Sequence, residues 1–290
     1  VPQAEQANPV FSTGIMENYK ILTIMNTTQA RVVSSFDKVR ITFSETGQGK
    51  TALLFVHGGL ANRHFWVHQL AALSDRYHAI AVDLAGHGDS GRNRKTWTVD
   101  AFGKDIRAVA DALALRQIVL IGNSLGGPVA LSSARLLEGR VIGVVGVDTF
   151  QDAAQKMTSE EARGQADMYR NDFENTCKAM SERLFHPGRQ TKLRNWAEAQ
   201  MLMMPPEVVI GIMEGLAGYD MAERFGAVKV PIRAINGDLF PTNTELNRSI
   251  HPDFDVLIMK GAGHYPMLER PEEFNEYLRE IVKQLEAATG

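Results

Sequence analysis

Cysteine is nearly absent: Cys177 is the single one among 290 residues. That excludes an intramolecular disulfide and any cage of cysteines around a metal. No apolar run approaches the roughly 20 residues a helix needs to cross a bilayer. Charge of one sign is not in excess either, since 31 Lys and Arg face 34 Asp and Glu for a net charge of −3. The basic residues are scattered, so no nucleic-acid footprint is present. What remains is the composition of an ordinary soluble globular protein. The chain begins at Val1 rather than Met. The expectation is that a leading segment was removed, either a signal peptide or a trimmed stretch, which leaves cytoplasm and secretion equally open. Residues 1–30 are polar and irregular and are expected to form a loosely attached arm. Oligomeric state is not legible.

Against these absences stands a set of short apolar runs. Residues 30–34 and 38–43 carry β-branched side chains with some alternation and predict two early strands. Residues 52–56, 79–82, 118–121 and 141–147 are apolar without alternation, as are 230–235 and 255–259 in large part. Such runs suit strands buried on both faces of a parallel sheet. Between them lie helical patterns. Val99, Phe102, Ile106, Val109, Ala110 and Leu113 make one stripe on a helix over about 98–115, and Phe274, Leu278, Ile281 and Leu285 make another. The alternation predicts an α/β fold with a mostly parallel sheet flanked by helices. It is interrupted over 151–225, which has no clear strand and holds eight of the twelve methionines. This segment is read as an inserted helical cap, with 31–150 and 226–290 forming the core. Methionine fills irregular apolar gaps, so the cap could line an adaptable pocket.

Chemistry concentrates at residues 122–127, Gly-Asn-Ser-Leu-Gly-Gly, directly after a strand. The G-x-S-x-G pattern there predicts a sharp strand-to-helix turn with Ser124 at its apex, a candidate nucleophile. A serine hydroxyl needs a base, and the base an orienting acid. His264, in a glycine-containing loop after the strand at 255–259, is the candidate base. An oxyanion requires two backbone N–H donors. Leu125, after the nucleophile, can supply one, and Gly59, in the Val-His-Gly-Gly run 56–59, the other. His57 is expected to brace that loop. Leu60, His64 and Phe65 follow it closely and are expected to line the substrate pocket.

The runs 55–59 (Phe-Val-His-Gly-Gly), 83–91 (Asp-Leu-Ala-Gly-His-Gly-Asp-Ser-Gly), 122–127 and 261–264 (Gly-Ala-Gly-His) resemble the α/β-hydrolase fold family in order and spacing. The resemblance implies an eight-stranded sheet, a Ser-His-acid triad, a cap over the site and no cofactor. The acid departs from the family's usual pattern, which puts it three residues beyond a glycine after the strand that follows the cap. Here that slot holds Phe240. Asp238 lies two residues early, and Asp148, at the end of the preceding strand, takes the place some lipases of this fold use. Asp148 is the favoured candidate and Asp238 the second.

The function these residues imply is that of a serine hydrolase acting on a small-molecule carboxylic ester. The elbow also resembles that of carbon–carbon bond hydrolases acting on diketones, and a hydrolase-like binding protein with little turnover is the alternative of another class. Two decoys fall away. Gly47-Gln-Gly-Lys-Thr51 echoes a P-loop but precedes a strand rather than a helix. His64 and His68 have a metal-like spacing but no third ligand, so no metal is expected.

Overall fold

The apolar runs pair into one eight-stranded sheet in the computed structural model, which describes residues 30–289. The arm expected over 1–30 lies, save for Ala30, outside the described residues. The strands are β1 (Arg31–Ser34), β2 (Arg40–Thr46), β3 (Ala52–Val56), β4 (His78–Val82), β5 (Ile118–Asn123), β6 (Val141–Val147), β7 (Ile232–Gly237) and β8 (Phe254–Met259). Their order is β1-β2-β4-β3-β5-β6-β7-β8. Strand β2 runs antiparallel to both neighbours, and all other pairings are parallel. Every residue of β3 and β5 is buried, which is why these runs show no alternation.

Two boundaries differ from the sequence pattern for local reasons. Strand β2 begins at Arg40, not at residue 38, because residues 35–39 close a turn with Lys38 at φ 67°. Strand β7 begins at Ile232 because Pro231 precedes it and has no N–H to offer the ladder.

Helices flank the sheet. They are α1 (Val67–Leu73), α2 (Val99–Ala112), α3 (Gly126–Leu136), α4 (Ser159–Asn171), α5 (Phe173–Arg183), α6 (Thr191–Leu202), α7 (Pro206–Gly215), α8 (Met221–Gly226), α9 (Thr244–Ile250), α10 (Pro266–Glu269) and α11 (Pro271–Ala287). Helix α2 starts where Thr98 accepts the Ala101 N–H, and it buries the predicted stripe from Val99 to Ala110. Helix α11 starts at Pro271, with Glu272 and Glu273 in its first turn. Helices α4 to α8 all fall between β6 and β7, and an antiparallel bridge between Lys156 and Asp220 ties the ends of this insertion together. Among the described residues no helix is long and apolar enough to cross a membrane.

The strand order decides where a site can form. From β3 the chain crosses to β4 on one side, whereas β5 and β6 lie on the other. The loops after β3 and β5 therefore diverge at a switch point, and a crevice opens at the carboxyl ends of these strands. Gly58, Gly59 and Ser124 follow those two ends.

Candidate active site

The turn after β5 is tight because its glycines leave no room for side chains. A Cβ on Gly122 would sit 2.0 Å from the Gly126 carbonyl oxygen, and one on Gly126 would sit 2.3 Å from that of Val56. The turn closes with the Gly127 N–H donating to the Ser124 carbonyl at 2.9 Å. Ser124 is held at φ 51°, in the left-handed region that side chains other than glycine's rarely adopt. Such strain at a site persists because the surroundings over-determine it. Ser124 is half-buried and lines a cavity of about 540 Å³.

His264 and Asp148 line the same cavity. The His264 ring donates from Nδ1 to Asp148 Oδ2 across 2.6 Å. The other carboxylate oxygen accepts the Gly237 N–H at 3.0 Å. Asp148 is buried, and it too has a left-handed backbone, at φ 42°. That turn swings its side chain off the end of β6 toward the loop after β8. An imidazole oriented by a buried carboxylate, on the wall of the same cavity as a serine presented on a turn, brings together the residue types that take a hydroxyl proton.

Asp238 is not joined to His264. It is exposed, and its carboxylate accepts from His186 Nε2 at 2.8 Å. The Gly261 N–H, aided by His186, holds its carboxyl below the usual range. The cause is local: its own N–H pairs with the Ala262 carbonyl at 3.1 Å, so the chain runs beside the histidine loop and the side chain leaves that loop outward.

Gly59 packs against Leu125, whose Cδ2 lies 3.5 Å from where a Gly59 Cβ would be. Neither the Gly59 nor the Leu125 N–H has a hydrogen-bond partner among the described residues. Two neighbouring free amides at a cavity wall suit an oxygen that becomes negative. The loop carrying Gly59 is braced from below. His57 donates from Nδ1 to the Gly58 carbonyl at 2.7 Å and accepts the Leu84 N–H on Nε2 at 3.0 Å. His87 approaches the Gly59 carbonyl with Nε2 at 3.0 Å. Burial pushes both imidazoles down, His57 furthest.

Leu60 lies on the cavity wall, but His64 and Phe65 do not. A 3-10 turn over Arg63–Trp66 directs Phe65 into the core, where it stacks with Trp196 and Tyr265 at ring distances of 4.7 and 5.3 Å. His64 is half-buried outside the cavity, its imidazole pushed down by desolvation. The remaining wall comes largely from the inserted helices and their connections. Six methionines contribute, Met157, Met168, Met180, Met201, Met213 and Met221.

Two side chains that motif reading passed over also belong here. Asn123 donates from Nδ2 to the carbonyls of Val147 at 2.9 Å and His264 at 3.1 Å. It thus touches the residue before Asp148 and the backbone of His264 from the position before Ser124. Glu269 accepts N–H groups from the histidine loop. The motif marked position 123 only as a variable letter, and no local pattern marks Glu269.

A family model described as the alpha/beta hydrolase family matches residues 53–277. The chain belongs to the alpha/beta hydrolase family. It is 23% identical over 268 residues to 3-oxoadipate enol-lactonase 2 of Acinetobacter baylyi, covering 85% of this chain and 94% of that one. Among solved structures it resembles a malate-bound thermophilic esterase of Thermogutta terrifontis at 26% identity and a TM-score of 0.78, over 89% of this chain and 99% of the other. The enol-lactonase of Burkholderia xenovorans superposes with a TM-score of 0.77 at 18% identity, over 87% and 100% of the chains, a likeness of fold.

Proposed function

We propose that this member of the family is a serine hydrolase that cleaves carboxylic esters, lactones included, through an acyl-enzyme on Ser124. The observation that carries the reading is the buried Asp148–His264 bond at 2.6 Å on the wall of the cavity that the strained Ser124 also lines. Esterase and enol-lactonase relatives support the class, since a lactone is an ester whose alcohol stays attached.

In the first half-reaction Ser124 Oγ attacks the acyl carbonyl while His264 Nε2 takes its proton. The Gly59 and Leu125 amides bind the oxyanion. His264 then gives the proton to the leaving alkoxide, and the alcohol departs. In the second half-reaction His264 deprotonates water, which attacks the acyl-enzyme, and the proton returns to Ser124 as the carboxylic acid leaves. Asp148 holds the Nδ1–H tautomer and stabilises the imidazolium in both steps. The helices inserted over 151–225 act as the cap. The cavity is in the size range of small-molecule sites, and its apolar wall suits an acyl chain or an aryl alcohol.

The test is release of p-nitrophenol from acetate through decanoate esters, with lactone and diketone arms, by the parent protein and Ser124→Ala. Ester turnover abolished in the variant is expected. Diketone cleavage without ester cleavage would instead make it a carbon–carbon hydrolase, and a folded protein with no turnover would make it a binder.

A further inference from the structure

The loop that carries His264 is clasped by one buried carboxylate. Glu269 accepts the Gly263 N–H at 3.0 Å and the Tyr265 N–H at 3.1 Å. Its target amides are those immediately before and immediately after the histidine. Both backbone groups of His264 itself are also bonded. The His264 N–H donates to the Leu184 carbonyl at 2.9 Å, and its own carbonyl accepts from Asn123 at 3.1 Å.

Glu269 is buried, and no Lys, Arg or His forms an ion pair with it among the described residues. Desolvation pushes its carboxyl up, against the pull of the two amides. A buried carboxylate without a cation is costly to keep. N–H groups converging on it offset part of that cost. Helix α10 has no side-chain cap, and the Tyr265 contact by itself ties the side chain of its last residue back to its start. The second contact, to Gly263, reaches back past His264 and gives the helix nothing. It curls the loop around the carboxylate and so fixes the direction in which the histidine side chain leaves.

Resting on the serine-hydrolase reading above, we infer that Glu269 is a positioning residue whose two-amide clasp sets the imidazole of His264 against Asp148 and Ser124. Both amides meet Oε1, and the Gly263 N–H also lies 3.0 Å from Oε2. Gln keeps the volume but, with its oxygen at the Oε1 place, sets an NH₂ donor against the Gly263 N–H, so that arm of the clasp is opposed while the Tyr265 arm is kept.

The experiment compares the full chain with Glu269→Gln and Glu269→Ala, using p-nitrophenyl butyrate kinetics, thermal unfolding and the proton NMR signal of the His264 Nδ1–H bonded to Asp148. For Glu269→Gln we expect kcat lower by roughly 10- to 100-fold, as for a misplacement of about 1 Å, with KM within about threefold. The melting temperature should be close to the parent's, and the low-field proton shifted or broadened. Glu269→Ala should fall further, and if it does not fold the Gln variant carries the test. Parental kcat and an unmoved proton signal in Glu269→Gln overturn the inference. So does a loss of activity that merely tracks a loss of folded protein. If the parent cleaves no ester, the hydrolase reading fails on its own, and the NMR comparison still decides whether Glu269 positions the ring.

Discussion

Replacing Asp148 by Asn is the sharpest test of how the site is wired, because the structure dictates what the amide must do. Asp148 has two engaged oxygens, one on His264 Nδ1 at 2.6 Å and one on the Gly237 N–H at 3.0 Å. Asn offers one oxygen and one NH₂. The Gly237 N–H is a backbone donor and cannot change, so the oxygen must stay with it. The NH₂ then faces His264 Nδ1 and requires a lone pair there. That flips the imidazole to the tautomer with its proton on Nε2, where the base must accept. The analogous change in serine triads costs about 10⁴ in kcat, or about 5.4 kcal/mol of transition-state stabilisation at 1.36 kcal/mol per decade. Asp148→Asn should therefore lose roughly 10³- to 10⁴-fold in kcat on p-nitrophenyl butyrate at neutral pH, with an unfolding transition near the parent's. Asp238→Asn, which touches an exposed carboxylate paired to His186, should stay within about threefold. Refutation comes from an Asp148→Asn enzyme that keeps a third or more of parental kcat, or from the two variants ranking in the opposite order.

Two further outcomes follow from buried charge. His57 and His87 are fully buried with pKa values below the 6.5 of a free imidazole, and protonating His57 Nε2 would break its bond from the Leu84 N–H. The unfolded chain takes those protons first, so this stability is complete above pH 6.5 and is lost as pH falls below it. Each histidine contributes at most about 1.4 kcal/mol per pH unit in that window. Urea unfolding from pH 7.5 to 5.5 should show the loss, and a folded His87→Gln variant should show a shallower slope; equal slopes would remove the argument. Arg94 makes a two-pronged contact with buried Asp105, at 2.6 and 2.8 Å, and also holds Asp37. Arg94→Met strands Asp105, whose carboxyl desolvation already pushes up, and should destabilise by about 3–5 kcal/mol at pH 7. The deficit should shrink toward pH 4 as Asp105 is protonated. A melting temperature within a degree of the parent's at pH 7 would contradict it.

Much of this protein was written locally. The strands from β3 to β6 are continuous apolar runs because both their faces are covered, and the α2 stripe follows from helical spacing alone. The turn at Ser124 was equally legible, since only glycine tolerates the 2.0 and 2.3 Å approaches at Gly122 and Gly126. Residues from the loops after β3, β5, β6 and β8 could be named as candidates, because a sheet of this kind gathers those loops at one edge.

What lay beyond the sequence depends on directions and on distant neighbours. Asp148 and Asp238 both follow strands that end at that edge. Only the left-handed turn at Asp148 and the lateral pairing of Asp238 with Ala262 decide which carboxylate meets His264. Phe65 and His64 follow the loop after β3 in the chain, yet a short 3-10 turn carries them off the cavity wall. Asn123 acquires meaning only when the His264 carbonyl, 141 residues away, comes within its reach, and Glu269 only when the loop curls so that the amides on either side of one histidine meet its carboxylate. Periodicity and turn chemistry are short-range properties that a sequence carries in itself; which side chain faces which across a sheet edge is set by packing, and that exists only in the folded chain.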